Sequence, residues 1–169
     1  MAKAICLLTS EFRAFGIVRF MLNMSFQSEG GCLTINGEFF GIPPGKHGLH
    51  VHCFGDLTNG WICAGPHYNP SNKMLGAQKE KRYASDPGIV NVNEDGLAKL
   101  DVEISHFQLT GIHSIIGRTL HCYIRREECI AWGVTGICQN NSSEEVAEER
   151  NFCGLRALFS HLNSLNLNS

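Results

Sequence analysis

Apolar and polar residues alternate along much of residues 1–139, which is typical of strands that bury one face. The alternation predicts about eight strands. Those strands are Ala4–Thr9, Phe15–Met21, Cys32–Phe39, Lys46–His52, Ile89–Asn93, Leu97–Ile104, Ile115–Arg125 and Ala131–Cys138. A hairpin signal, Asp95-Gly96, joins two of them, and about eight antiparallel strands suit a Greek-key β-sandwich or flattened barrel.

Two segments interrupt this pattern. Residues 54–88 are rich in Gly, Pro, Asn and Lys, and a loop of this length in a compact domain is usually functional. After Gln139 the chain becomes polar and acidic, and the spacing of apolar residues then predicts a short amphipathic helix. We therefore divide the chain into an all-β domain at 1–139 and a polar linker with an amphipathic tail at 140–169. Three alternatives stay open for the tail, which packs on its own domain, frays or docks on a partner.

Length and composition fit one domain of ordinary size. The chain has 169 residues, of which 43% are hydrophobic and 18% charged. The formal net charge of -2 gives no basis for binding nucleic acid or an anionic membrane. No apolar run is long enough to cross a bilayer, and residues 1–13 lack a signal-peptide core of usual length, so the sequence predicts a cytoplasmic protein. The eight cysteines show no CxxC pair and are interpreted as free thiols.

Three histidines in and after the fourth predicted strand are candidate metal ligands. His50 and His52 are two residues apart on a strand, so their side chains project from the same face with Cα atoms about 6.5 to 7 Å apart. His67 lies in the irregular loop, which could fold back toward them. Neutral imidazoles are good ligands for copper or zinc.

The segment from Gly45 to Pro70, GKHGLHVHCFGDLTNGWICAGPHYNP, resembles the metal-binding signature of the Cu/Zn superoxide dismutase family. Three further segments in the family's order support the resemblance: VNV at 90–92, GRTL at 117–120 and GVTGI at 133–137. The resemblance covers most of residues 3–139 and implies the eight-stranded Greek-key fold. It also implies that His50, His52 and His67 match three copper ligands, with His67 in the place of the imidazolate that bridges copper to zinc.

The chain departs from the family's pattern at several metal positions. By the resemblance, the fourth copper histidine aligns with Tyr123, and two zinc histidines align with Leu75 and Tyr83. Asp86 still matches the zinc aspartate, as the remnant of that site. His67 and Asp86 cannot complete a four-coordinate shell, so we expect no structural zinc.

Other family features are also replaced. The positions of the family's disulfide align with Trp61 and Trp132, interpreted either as a stacked pair that holds the loop or as unrelated packing residues. A displaced bridge between Cys63 and Cys129 is a further hypothesis. The charged loop of the family is reduced to IRREEC at 124–129, and its arginine aligns with Cys129, so anion guidance should be weak.

Three functional hypotheses follow. The leading one is a degenerate family member with a partial copper site and weak or absent dismutation of superoxide to oxygen and hydrogen peroxide, since three histidines suit Cu(I) whereas Cu(II) prefers four tetragonal ligands. The second is an active copper-only dismutase in which Tyr123, or His121 after a local shift, supplies the missing ligand. The third is a copper-binding protein or a dimer partner of an authentic dismutase, because 54–55, 115–117 and 134–137 resemble the family's dimer contact.

Overall fold

Antiparallel strands make up most of the part of the chain that the structure describes. The computed structural model describes residues 3–10, 15–23, 32–70, 87–104, 107–124 and 128–138. The elements there are β1 (Lys3–Leu8), β2 (Phe15–Asn23), β3 (Cys32–Phe40), β4 (Gly45–Val51), β5 (Thr58–Trp61), a 3-10 helix (Ile62–Ala64), β6 (Gly88–Val92), β7 (Leu97–Ile104), β8 (Thr119–Ile124) and β9 (Glu128–Ile137). The prediction of an all-β fold is confirmed.

Eight of these strands form one sheet in the order β6-β4-β8-β9-β1-β2-β3-β7. The two edge strands, β6 and β7, are consecutive in the chain, and the sheet curls so that a short turn can join them. Asn93 closes this turn, because its side-chain oxygen accepts hydrogen bonds from the backbone N–H groups of Asp95 and Leu97. Gly96 has a φ of 74°, which favours glycine at the Asp-Gly position predicted for the hairpin.

A single apolar core fills one face of the sheet. Strand β4 contributes Leu49 and Val51 to it, and β8 contributes Leu120 and Cys122, all 0% exposed. These residues alternate with others that point to the opposite face. Because β4 and β8 are hydrogen-bonded neighbours, their remaining side chains lie side by side on that opposite face, where the predicted metal ligands are found.

The structure differs from the predicted strands at several places. Strand β8 begins at Thr119 rather than Ile115, since Gly117 has a φ of 78° and the N–H of Arg118 donates to the carbonyl of Ile115 in a turn. Strand β9 begins at Glu128 rather than Ala131. The long loop also contains a short strand, β5, that the sequence pattern did not indicate. The predicted tail at 140–169 lies outside the described residues. No helix among the described residues is long and apolar enough to cross a membrane.

The close approach of β1 and β9 depends on Gly133. A Cβ atom at this position would clash with the backbone carbonyl oxygen of Leu7. We expect Gly133→Ala to lower the free energy of unfolding by about 2 to 4 kcal/mol, because backbone must shift to relieve the clash. Urea unfolding measures the change. Gly136→Ala is the matched control in the same strand, since its Cβ would lie 3.9 Å from the carbonyl oxygen of Ile5; an equal loss in both variants would contradict the packing argument.

Candidate metal centre

Strand β4 places two histidines on the face opposite the core. His47, Leu49 and Val51 are buried on the core side, so His50 has the opposite parity, and His52 follows directly after the strand at 5% exposed. Gly48 leaves room for the His50 ring, because a Cβ atom at Gly48 would lie 2.7 Å from His50 Nε2. The local sequence therefore lets the His50 imidazole lie back against its own strand.

The long loop returns to β4 and brings His67 to the same place. The backbone N–H of Cys53 donates to the carbonyl of Pro66, and the N–H of Tyr68 donates to the carbonyl of Val51. These bonds flank a bridge between His52 and His67. The ring of His67 lies 4.4 Å from that of His50 and 4.8 Å from that of His52, measured between centroids. The three histidines predicted as copper ligands are thus brought together.

Strand β8 adds His121 and Tyr123 to this group. In the register of the two strands, His50 lies opposite His121, and Gly48 lies opposite Tyr123. The His121 ring stacks on His52 at 3.8 Å and is 0% exposed. The hydroxyl oxygen of Tyr123 lies 3.1 Å from His52 Nε2 and 3.0 Å from His121 Nδ1. We call the five residues His50, His52, His67, His121 and Tyr123 the histidine–tyrosine cluster.

Burial keeps the central members of the cluster uncharged. It lowers the pKa of His52, and it lowers the pKa of His121 to about 3, with further lowering from the nearby His52, His67 and His50. Burial also raises the pKa of the Tyr123 phenol, with a smaller contribution from Cys129. At neutral pH the cluster therefore holds two neutral imidazoles on either side of a protonated phenol.

The hydrogen bonds fix which nitrogen of His52 carries its proton. His52 Nδ1 lies 2.6 Å from the carbonyl oxygen of Gly65, which can only accept, so Nδ1 carries the proton. Nε2 of the neutral ring then has a free lone pair, and Tyr123 is the donor to it. The phenol oxygen in turn accepts from His121 Nδ1, which leaves His121 Nε2 buried without a hydrogen-bond partner.

As arranged, these side chains do not fit a copper ion. In the described ranges, no group of three His, Cys, Asp or Glu side chains is placed so that it could hold a metal ion together. The physical reason is clear at His52, whose one available lone pair accepts the proton of Tyr123. A ligand nitrogen must present that lone pair to the metal.

Two further residues, Trp61 and Arg118, pack around the cluster and its loop. The Trp61 ring meets His121 and Tyr123 edge-on, at 6.2 and 6.5 Å between centroids. Arg118 lies 3.7 Å from the centroid of the Tyr68 ring and donates from Nη1 to the carbonyl of Cys53 at 2.6 Å. This cation–π contact and hydrogen bond tie the loop to the start of β8 at a charged, partly buried position.

Several predicted site residues either lie outside the described residues or make contacts other than those predicted. Asp86, Leu75 and Tyr83 lie outside the described residues. Cys63 and Cys129 are both free thiols, so the displaced disulfide is absent between them. The ring contacts of Trp61 are with the cluster instead of a stack on Trp132. The sequence did not predict that contact; the clearest signal for the cluster itself was the His-x-Tyr spacing of 121 and 123 on one strand face.

Thiol reactivity should follow the burial of the cysteines. Burial raises the pKa of Cys6, Cys122 and Cys129 to about 12, so almost no thiolate is present at pH 8. Cys53 and Cys63 are partly exposed. Brief treatment of the native protein with iodoacetamide at pH 8, followed by peptide mass spectrometry, should label these two at least about tenfold faster than the buried three. Equal labelling of Cys6 and Cys63 would contradict this packing.

Fold and site together define a curled antiparallel sheet with histidines gathered from two neighbouring strands and one returning loop. The chain belongs to the copper/zinc superoxide dismutase family, whose model, described as "Copper/zinc superoxide dismutase (SODC)", matches residues 16–154. It is 40% identical over 134 residues to the extracellular Cu-Zn superoxide dismutase of Brugia pahangi, a match that covers 79% of this chain and 67% of that protein.

These comparisons confirm the family predicted from the sequence and correct one expectation. Members of the family normally bind copper and zinc, act on superoxide and often form dimers. The prediction of a cytoplasmic protein is wrong, because the relative in Brugia pahangi is an extracellular enzyme. The prediction relied on the lack of a signal-peptide core in residues 1–13, and that lack is weak evidence for where a protein is located.

Proposed function

We propose that this chain is a superoxide dismutase-like protein whose dismutation of superoxide is weak or absent. The observation that carries the proposal is the position of the Tyr123 hydroxyl, 3.1 Å from His52 Nε2 and 3.0 Å from His121 Nδ1. Tyr123 aligns with the family's fourth copper histidine, and its hydroxyl engages the lone pair that His52 would offer to copper. A copper ion would have to break this bond before it could use His52.

The chemistry of the phenol argues against the copper-only alternative. A tyrosine binds Cu(II) well as a phenolate. In the metal-free chain burial raises the pKa of Tyr123 and its hydroxyl donates to His52 Nε2, so copper would first have to displace that proton. Catalysis also requires both Cu(II) and Cu(I) to be held, and three imidazoles alone favour Cu(I). These arguments support low turnover even in protein that has been exposed to copper.

The test is direct measurement of superoxide decay. Purified full-length protein is incubated with Cu(II), freed of loose metal by gel filtration, and mixed with superoxide in a stopped-flow spectrometer. The decay should be close to that of a sample treated with chelator throughout. Rapid second-order decay that scales with bound copper would reject the proposal.

An exposed apolar patch supports a second candidate function, that of a dimer subunit. Phe54 is 58% exposed, and Leu7 and Val134 are 54% and 37% exposed. The pairing of β1 with β9 puts Cys6 opposite Thr135, so Leu7 and Val134 are the next residues along the two strands, and Val134 also lies against Gly55, next to Phe54. Three large apolar side chains on one surface are typical of a protein interface. The partner would be a second copy of this chain or an authentic dismutase.

Light scattering during size-exclusion chromatography tests the dimer candidate. The protein alone should elute with the mass of two chains, or should shift to that mass when mixed with an active homologue. Phe54→Asp should weaken the association by about tenfold or more, because it places a charge in the apolar patch. A strict monomer that ignores the homologue would reject this candidate.

We also propose an extracellular location, from the relative in Brugia pahangi. Immunodetection in the culture medium and in washed cells of the source organism tests it. Protein confined to the cells would contradict secretion.

A further inference from the structure

We infer that the hydroxyl of Tyr123 replaces a metal ion as the link between the histidines of β4 and β8. The linked groups, from the Gly65 carbonyl through His52 and Tyr123 to His121, are called the Tyr123 bridge below. The inference rests on the same site as the proposed function and goes further, because it states what holds this site together and makes its stability independent of copper and zinc.

Each bond of the Tyr123 bridge has one possible direction. The Gly65 carbonyl accepts from His52 Nδ1 at 2.6 Å, so His52 Nε2 must accept from the phenol. The single phenol proton is then used, and its oxygen accepts from His121 Nδ1. Three hydrogen bonds thus run in one direction through two imidazoles and a phenol. Such a chain fixes both ring tautomers and both ring orientations.

The geometry lets the Tyr123 bridge do structurally what a metal ion would do. A metal holds imidazoles from separate segments at one point, and here a hydroxyl oxygen within 3.1 Å of two imidazole nitrogens holds rings from β4 and β8. The rings are also in contact, since His52 stacks on His121 at 3.8 Å. The arrangement is buried, with His52 5%, His121 0% and Tyr123 6% exposed, so water does not readily replace its bonds.

This assignment predicts an unusual response to metal. Wild-type protein should have the same melting temperature in EDTA and with one equivalent of Cu(I) under argon. Tyr123→Phe should melt about 5 °C lower in EDTA, because His52 Nε2 and His121 Nδ1 lose their shared partner. The variant should then regain several degrees with Cu(I), because the lone pair of His52 is free to bind it.

Tyr68→Phe is the matched control. It removes a hydroxyl from another buried tyrosine, 8% exposed, and keeps the ring on which Arg118 packs. Its melting temperature should not depend on Cu(I). If Tyr123 served only as a packing residue, Tyr123→Phe would melt lower but would not respond to Cu(I). A rise in melting temperature with Cu(I) in Tyr123→Phe alone therefore supports the inference, and no rise contradicts it.

Long-range 1H–15N correlation spectra of the metal-free wild type give a test that does not depend on any variant folding. Both His52 and His121 should carry their proton on Nδ1 and have a bare Nε2. Any other tautomer for His52, or a wild-type melting temperature that falls in EDTA, would overturn the inference. Neither result depends on turnover, whereas rapid superoxide decay by the copper-loaded wild type would reject the proposed function, so the two failures are distinguishable.

Discussion

Replacing Tyr123 by His should convert this chain toward a copper enzyme. The substitution removes the hydroxyl that engages His52 Nε2 and supplies an imidazole at the position that aligns with the family's fourth copper histidine. Four nitrogen ligands suit Cu(II) as well as Cu(I), so both states needed for dismutation could be held. We expect the variant to bind close to one copper per chain and to consume superoxide at least about tenfold faster than wild type, which is a barrier lower by about 1.4 kcal/mol.

Ile137→His is the control for a histidine added away from the cluster. Ile137 is 81% exposed at the end of β9, so its replacement adds an imidazole at the surface without touching Tyr123. Loosely bound surface copper would raise activity in both variants, whereas a completed site would raise it in Tyr123→His alone. If Tyr123→His binds copper but consumes superoxide no faster than wild type, the missing ligand is not what limits turnover.

Acid should destabilise the protein through His121. Burial and the neighbouring histidines lower the pKa of His121 from 6.5 to about 3, so the unfolded chain takes up a proton at a higher pH than the folded one. The stability that comes from the neutral ring is fully present above pH 6.5 and is lost as the pH falls from there toward 3. Between pH 7 and pH 4 the loss should be about 3 kcal/mol.

The groups that face His121 all favour its neutral form. Charge repulsion from His52, His67 and His50 adds to the lowering of the His121 pKa, and neither the Tyr123 phenol nor the edge of Trp61 offers a negative charge. His121→Val removes the buried base and should lower stability at pH 7 while making it less dependent on pH. Urea unfolding of both proteins at pH 7 and pH 4 provides the comparison. An equal loss on acidification in the two proteins would contradict the role of His121.

Most of the fold could be predicted from the alternation of apolar and polar side chains along the chain. Because strands alternate inward and outward residues, apolar spacing predicted the strands of the sheet, and the spacing of His50 and His52 placed both on one face. The gathering of His67 was expected from the loop's return. The strand boundary at Thr119 was missed, since the turn at Gly117 depends on a positive φ that apolar spacing does not report.

The hydrogen bonds of the cluster could not be predicted in the same way. They depend on the carbonyl of Gly65, 13 residues after His52, arriving within 2.6 Å of one ring nitrogen and so fixing the tautomer. Alignment with the family labelled Tyr123 as a lost ligand, but only the folded geometry gives its hydroxyl two imidazole partners. Likewise, the alignment of Trp61 and Trp132 with the family's disulfide left a stacked pair and unrelated packing both open, and neither alternative indicated that the Trp61 ring faces the cluster.

We propose that hydrogen bonding through Tyr123 occupies the site that copper holds in active family members. The most direct test is the amount of copper retained per chain by wild type and by Tyr123→His after incubation with one equivalent of Cu(II) and gel filtration, quantified by mass spectrometry of the metal. We predict that the wild type retains far less than one copper per chain and that the variant approaches one. Stoichiometric copper in the wild type, with His52 among its ligands, would contradict the account.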